Sequence, residues 1–412
     1  MALRRRTEGE VRQAGGVDSG YAWARLGVTL ALSTLGGFGM WCIVVALPVV
    51  QGDFNISRAD ISFAYTTTMI GFCAGGVAMG WLADRKGIAP TVGIGGLMLA
   101  AGFASAGMAP SPGWFAVAQG VLVGFGSAAT FAPLVADASH WFEKRRGMAV
   151  AICASGNYLA GTIWPPLIEL GMRTHGWRTT YLTIGVICLV TMVPLSLALR
   201  RPPPFHADEA TGAAAPPRSA GLSPQALQAL IAVAGLACCI AMSMPQVHIV
   251  AYCADLGYGV ARGAEMLSLM LGFGIISRIA SGWIADRVGG VVTLLIGSVM
   301  QTVALILYTI SDSLTSLYIV SALFGLFQGG LVPSYAIIVR EYFPPREAGL
   351  RVGIAMSATI VGMALGGWMG GVLFDMTGSY RTAFLNGIAW NVANAAIGWW
   401  LLVRQGRRTA LA

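Results

Sequence analysis

Twelve apolar stretches organise the chain, each near or above the ~20 residues that a membrane-crossing helix requires. They run at 24–50, 60–83, 90–109, 113–139, 147–170 and 178–199, and after a break at 225–252, 264–285, 291–310, 314–339, 349–374 and 381–403. Soluble domains carry about 25% charged residues. This chain has 11% charged and 56% hydrophobic residues, with a mean hydropathy of +0.70. The expected fold is an all-α membrane protein of twelve transmembrane helices in two pseudo-symmetric six-helix halves.

The sequence divides accordingly. Residues 1–23 read as a cytoplasmic tail, 24–199 and 224–403 as the two halves, 200–223 as a cytoplasmic linker and 404–412 as a second tail. The linker is rich in proline, small residues and charge, which suits a flexible connection. The polar stretch with Arg4, Arg5, Arg6 and Arg12 is too long for the n-region of a cleavable signal, and the run after it is too long for an h-region.

Charge orients the bundle. An even number of spans puts both tails on one side, and that side holds twenty of the 26 basic residues. The opposite side holds Arg58, Arg173, Arg178, Arg262 and Arg381. Cytoplasmic loops carry the excess of Lys and Arg, so both termini are expected in the cytoplasm of a cell-membrane protein. The net charge of +8 is thereby topological and does not imply nucleic acid. The seven cysteines lie mostly within apolar runs, with no CxxC pair, and read as small apolar residues. No HExxH, GxSxG, P-loop or dinucleotide fingerprint is present, so neither an enzyme nor a cofactor is expected. The chain is expected to act as a monomer in the lipid bilayer.

The halves repeat. Gly80-Trp81-Leu82-Ala83-Asp84-Arg85-Lys86-Gly87 recurs, offset by 202, as Gly282-Trp283-Ile284-Ala285-Asp286-Arg287-Val288-Gly289, with six of eight residues identical. Fainter echoes pair Gly176-Trp177-Arg178 with Gly378-Ser379-Tyr380-Arg381, and Trp141-Phe142 with Tyr342-Phe343. Duplicated six-span halves are a transporter signature, with the substrate site near midplane at the half–half interface.

The GxxADRxG element after spans 2 and 8, in a 6+6 layout, resembles the major facilitator superfamily over about residues 24–403. Finer features resemble its monocarboxylate-transporter and oxalate/formate-antiporter branch. They are Trp141-Phe142-Glu143-Lys144-Arg145-Arg146-Gly147-Met148-Ala149, Gly176-Trp177-Arg178, Phe374-Asp375-Met376-Thr377-Gly378-Ser379-Tyr380 and the span 8 arginine. The resemblance implies that Asp84-Arg85 and Asp286-Arg287 form inter-helix bridges that gate the cytoplasmic side. Anchoring charges at the interface are the simpler alternative. The chain departs from the branch where animal monocarboxylate transporters place an aspartate one turn before that arginine; here stands Gly274. Spans 1 and 11 lack the interior lysine of some relatives, so a two-cation clamp for a dicarboxylate is not expected.

The span 8 arginine, Arg278, is the residue on which function turns. It lies eight residues before Asp286 and thirteen after Glu265. At 1.5 Å per residue these are about 12 and 20 Å, near the middle of a core roughly 30 Å thick. A guanidinium there costs about 2.5–3.5 kcal/mol on insertion scales. Its counterpart in the first half is Gly76, so the duplicated scaffold does not require it. The acidic residues near the apolar runs, Asp84, Asp137, Glu169, Asp255, Glu265 and Asp286, all fall at span ends. Two readings follow: a substrate carboxylate supplies the counter-charge, or a buried bridge or carbonyl cap does.

His248 is the one histidine clearly inside a span, and an unperturbed imidazole changes charge near neutrality, which makes it the proton-coupling candidate; a neutral, hydrogen-bonded ring is the alternative. Pro245 frees the carbonyl of Ala241, to serve an outer gate or only a static bend. Asn157, Tyr158, Gln328 and Tyr335 are candidates to orient a bound acid, and Trp164 and Trp368 to wall it, unless they pack between helices or belt the interface. Small residues four apart, Gly71/Gly75, Gly76/Gly80, Gly362/Gly366/Gly370 and Gly367/Gly371, mark close helix faces, sliding or static. The expected activity is secondary transport of a small organic monocarboxylate by proton symport. Anion exchange, export of hydrophobic or amphipathic compounds, and sensing without transport are the rivals.

Overall fold

In the computed structural model the described residues are 16–202 and 221–409; most of the expected linker and the outer parts of both expected tails lie outside them. Twelve helical rods follow one another: α1 (Gly20–Phe54), α2 (Arg58–Lys86), α3 (Ile88–Gly107), α4 (Pro112–His140), α5 (Arg146–His175), α6 (Trp177–Leu199), α7 (Pro224–Asp255), α8 (Val260–Val288), α9 (Gly290–Ile310), α10 (Leu314–Tyr342), α11 (Pro345–Thr377) and α12 (Tyr380–Thr409). Ten are long and apolar enough to cross a membrane; α5 and α12, each of 30 residues, carry more polar groups. The chain is a multi-pass membrane protein. Large apolar side chains such as Ile70, Val121, Val190, Ile306 and Trp399 lie exposed on the outside of the bundle, where lipid is the solvent.

Rod ends follow local rules that repeat along the chain. Ser111 and Ser313, 202 apart, cap α4 and α10 by accepting from the Trp114 and Ser316 N–H groups. Gly87 and Gly289, at φ +86° and +83°, end α2 and α8. Gly176 and Gly378, at φ +81° and +67°, end α5 and α11. A side chain at these left-handed positions is strained, so both pairs of glycines reverse the chain at equivalent places in the two sets of six rods.

Four rods depart from the uninterrupted spans predicted by sequence. α1 breaks at Gly37, α4 widens at Ala118–Gly124 and breaks near Ala129, α6 widens at Cys188–Met192 and tightens at Leu197–Leu199, and α10 breaks at Gly329 and Gly330. Close approach accompanies the last break: a Cβ on Gly329 would meet the Gly274 carbonyl and stand 3.0 Å from the backbone nitrogen of Arg278 on α8.

With twelve alternating rods the start of α1 and the end of α12 lie on one face, here named the tail face. There Arg25 of α1 is buried against Asp137 of α4 at 3.0 Å and donates to the Leu199 carbonyl of α6. The Trp141-Phe142 motif lies beneath this cluster. The Arg25 guanidinium stands 4.7 Å from the Trp141 ring, and Phe142 packs on Trp23.

Candidate functional site

A cavity of about 410 Å³ opens where α1, α2, α4, α5, α7, α8, α10 and α11 converge. Its walls reach toward the tail face as far as Gly353, whereas on the other side they end at Trp41, Leu271 and Gln246. Arg278 is the single ionisable cation among its described lining residues. Its guanidinium lies 4.3 Å from the centroid of the Tyr158 ring. Nε donates to the Gly329 carbonyl at 3.4 Å and Nη1 to the Ala154 carbonyl at 3.5 Å. These are long contacts, and no described carboxylate forms a salt bridge with it. Gly274, one turn earlier, explains the ring's position: a Cβ there would run into Tyr158. Gly76, the counterpart of Arg278, lines the opposite side with nothing near it.

Of the other sequence-selected residues, Asn157 and Tyr158 line this cavity. Asn157 accepts from Trp41 Nε1 through its carbonyl at 3.0 Å and its side-chain oxygen at 3.2 Å. Gln328 does not line it; it is buried one layer back, accepting from Gln246 Nε2 at 2.9 Å. Tyr335 is also outside, its hydroxyl 2.7 Å from Asn394 Oδ1 and 3.0 Å from the Ala234 carbonyl. Trp164 stacks on Phe38 and donates to the Thr34 carbonyl, and Trp368 is 41% exposed on the outer surface. Neither walls the cavity. Their positions depend on how each rod is rotated about its axis, which an apolar sequence leaves open. Gln246, Ser357 and Thr359 are polar wall residues that sequence reasoning misses.

A second polar centre closes the face opposite the tails. Arg58, at the start of α2, is only 5% exposed. Its Nη2 donates to both oxygens of Asp255 on α7, at 3.1 and 3.2 Å, and its Nη1 to the Tyr380 hydroxyl at 2.9 Å. Asp375 of α11 accepts from the backbone N–H groups of Arg58 and Ala59, capping α2. His248 joins this centre and not the cavity. It is fully buried, with Nε2 2.7 Å from the Gly367 carbonyl and Nδ1 3.3 Å from the Tyr380 hydroxyl. A carbonyl only accepts, so Nε2 carries the proton, and in the neutral ring Nδ1 accepts from Tyr380. The Phe374–Tyr380 motif thus supplies both the cap and the hydroxyl. Pro245 lies within α7, which continues through it to Asp255.

Further contacts join the two sets of rods between this face and Arg278. Thr66 donates to the Ala364 carbonyl at 2.9 Å, and Ser268 donates to the Thr162 carbonyl. Gly367 and Gly371 face α2, whereas Gly362, Gly366 and Gly370 face α7. Gly71 and Gly75 pack on α4, and Gly76 and Gly80 have open space. On the tail side, Asp84, Arg85, Asp286 and Arg287 form no salt bridge among the described residues. Arg85 stacks on Trp81 at 4.2 Å and Arg287 on Trp283 at 3.5 Å. The inter-helix bridges that resemblance implies are absent from this arrangement, in which the cavity walls reach toward that same face.

The family model of the Major Facilitator Superfamily matches residues 29–315 and 281–411. The chain belongs to the Major Facilitator Superfamily. This facilitator is 28% identical over 329 residues to Monocarboxylate transporter 13 of Rattus norvegicus, covering 77% of the chain and 74% of the relative. It is 26% identical over 408 residues to Monocarboxylate transporter 11 of Mus musculus, covering 91% and 86%. The structure is similar to that of the nucleoside transporter NupG, with a TM-score of 0.72 at 13% identity over 91% of this chain and 99% of that one. That likeness bears on the fold. The sequence relationship makes this facilitator a transporter resembling the monocarboxylate branch.

Proposed function

We propose that the protein is a secondary transporter of an organic monocarboxylate, working by alternating access with the substrate carboxylate on Arg278. The observation that carries this reading is a guanidinium on the cavity wall with no carboxylate partner among the described residues. Beside the Tyr158 ring, its two protein hydrogen bonds are long ones to carbonyls, and Nη2 is engaged by neither. Guanidinium and carboxylate match through two parallel hydrogen bonds, and such a pair is strong in a site poor in water. The monocarboxylate transporters among its relatives support the same class.

In this reading both tails face the cytoplasm, as the basic-residue asymmetry suggests, and the halves at 24–199 and 224–403 rock about the cavity. The arrangement described above is then closed outside by the Arg58 centre, with the Asp84-Arg85 and Asp286-Arg287 elements parted inside. Proton symport is the coupling we infer. Its proton enters either with the acid or through His248, whose Tyr380 hydrogen bond reaches Arg58 and hence the outer closure. Exchange of anions without a proton is the alternative, revealed by counterflow that persists with the pH gradient collapsed. The predominantly apolar wall favours a second reading, export of hydrophobic compounds, in which Arg278 serves structure alone.

Arg278→Ala and Arg278→Lys separate these readings. Both are expected to abolish carboxylate uptake into proteoliposomes while the protein stays folded, because a lysine ammonium cannot reproduce the fork. Full transport by the alanine variant overturns the assignment.

A further inference from the structure

We propose that the acid carried has a bulky apolar body, an aryl-alkyl or large branched monocarboxylate, and is not an acid of two or three carbons. The inference rests on the reading of Arg278 given above and names the substrate class for that site.

Volume is the first argument. An engineered apolar cavity of about 150 Å³ holds a benzene molecule. The cavity here is about 410 Å³. A short acid seated on Arg278 leaves most of that space in contact with nothing but water against apolar side chains.

The wall is the second. Its charge is confined to one side, at Arg278 on α8. Around the remainder stand Met40, Met69, Met242, Met356 and Met363, from four different rods, with Phe72 among them. Methionine is unbranched and polarisable, and it moulds to aromatic and irregular apolar bodies. Polar groups that a short hydroxy- or keto-acid needs are scarce and partly engaged already. Trp41 is on Asn157, Gln246 on Gln328, and the Thr359 hydroxyl on the Met356 carbonyl.

The third is Gly76. The duplicated position that bears a guanidinium on α8 bears no side chain on α2, and a Cβ built there meets nothing within 4 Å. The cavity is therefore open at the point related by the repeat to its anion anchor. A body extending from Arg278 has room to lie there.

The test compares labelled 3-phenylpropionate with lactate in proteoliposomes of the full chain near pH 7.5, where both acids are ionised, with protein-free liposomes subtracted. Uptake efficiency for 3-phenylpropionate is expected to exceed that for lactate at least about tenfold. Gly76→Leu fills the open wall with a good helix former and is expected to erase most of that preference. Arg278→Ala is expected to stop uptake of both acids. Lactate carried as well as 3-phenylpropionate, with Arg278→Ala inactive, overturns the bulky-body inference and leaves the Arg278 reading standing. Survival of 3-phenylpropionate uptake in Arg278→Ala, or equal uptake of neutral 3-phenylpropanamide, overturns the Arg278 reading itself. Uptake of neither acid overturns both.

Discussion

The guanidinium of Arg278 stands 4.3 Å from the ring centroid of Tyr158, so a cation of one set of six rods is held against an aromatic face of the other. Gly274 gives the ring its room. Cation–π contacts contribute about 0.5–1 kcal/mol when exposed and about 2 kcal/mol or more when desolvated. Tyr158→Phe keeps the aromatic face, and its half-saturation concentration is expected within about threefold of the parent. Tyr158→Leu loses the face and is expected to weaken apparent affinity about tenfold. Gly274→Ala pushes the ring aside and should shift affinity in the same direction. Equal half-saturation for the parent and Tyr158→Leu would remove the ring from the site.

Arg58 joins the two sets of rods at the far face. Its guanidinium reaches Asp255 of α7 and Tyr380 of α12, and its backbone N–H reaches Asp375 of α11, so one residue ties the first set of rods to three of the second. Asp255→Asn weakens the charge-assisted pair and should raise the population open on that face. Cys73 lines the cavity and provides a native reporter. In a background with the other six cysteines replaced, Asp255→Asn is expected to increase Cys73 labelling by an impermeant maleimide added from the far face. Labelling from the tail face should decrease. No change from either side would show that the Arg58 pair does not hold the closure.

His248 is sealed between the Gly367 carbonyl and Tyr380. A glutamine retains a donor and an acceptor but does not titrate. If coupling passes through His248, His248→Gln loses accumulation driven by an acid-outside gradient and keeps downhill counterflow. If the proton enters with the substrate acid, gradient-driven accumulation survives the substitution. The comparison is made at fixed substrate concentration, with the pH gradient as the only variable.

Local features of the fold are legible in the sequence because their causes are local. Ser111 and Ser313 cap the rods they precede, and Gly87, Gly176, Gly289 and Gly378 end those they follow. The isolation of Arg278 is also legible, since spacing along one helix sets its distance from every charge on that helix. Arg58 is not. A basic residue at a rod end reads as an interface anchor, and its partners lie 197 to 322 positions away. Tyr335 and Gln246 fail for other reasons. The partner of the Tyr335 hydroxyl lies on another rod, 59 positions away, and in α7, apolar nearly all round, no hydrophobic stripe fixes which side faces the cavity. Tyr335 thus reads as a lining residue although it bonds Asn394, and Gln246 goes unnoticed although it lines the wall.

Stability has its own test on the tail face. Arg25 and Asp137 are buried together, with Nε and Nη2 each donating to a carboxylate oxygen at 3.1 and 3.0 Å. The same guanidinium faces the Trp141 ring and holds the Leu199 carbonyl, so three rods meet on one cation. Breaking a buried pair by removing one charge costs about 3–5 kcal/mol, because the other stays buried without a counter-ion. Replacing both members by apolar groups of similar size is often far less costly. Asp137→Asn is therefore expected to lower the thermal unfolding midpoint in detergent more than the double variant Arg25→Met, Asp137→Leu. Intrinsic tryptophan fluorescence reads the transition. The ordering carries the argument: if the double variant unfolds first, the Arg25 contacts to Leu199 and Trp141 hold this corner and the ion pair does not.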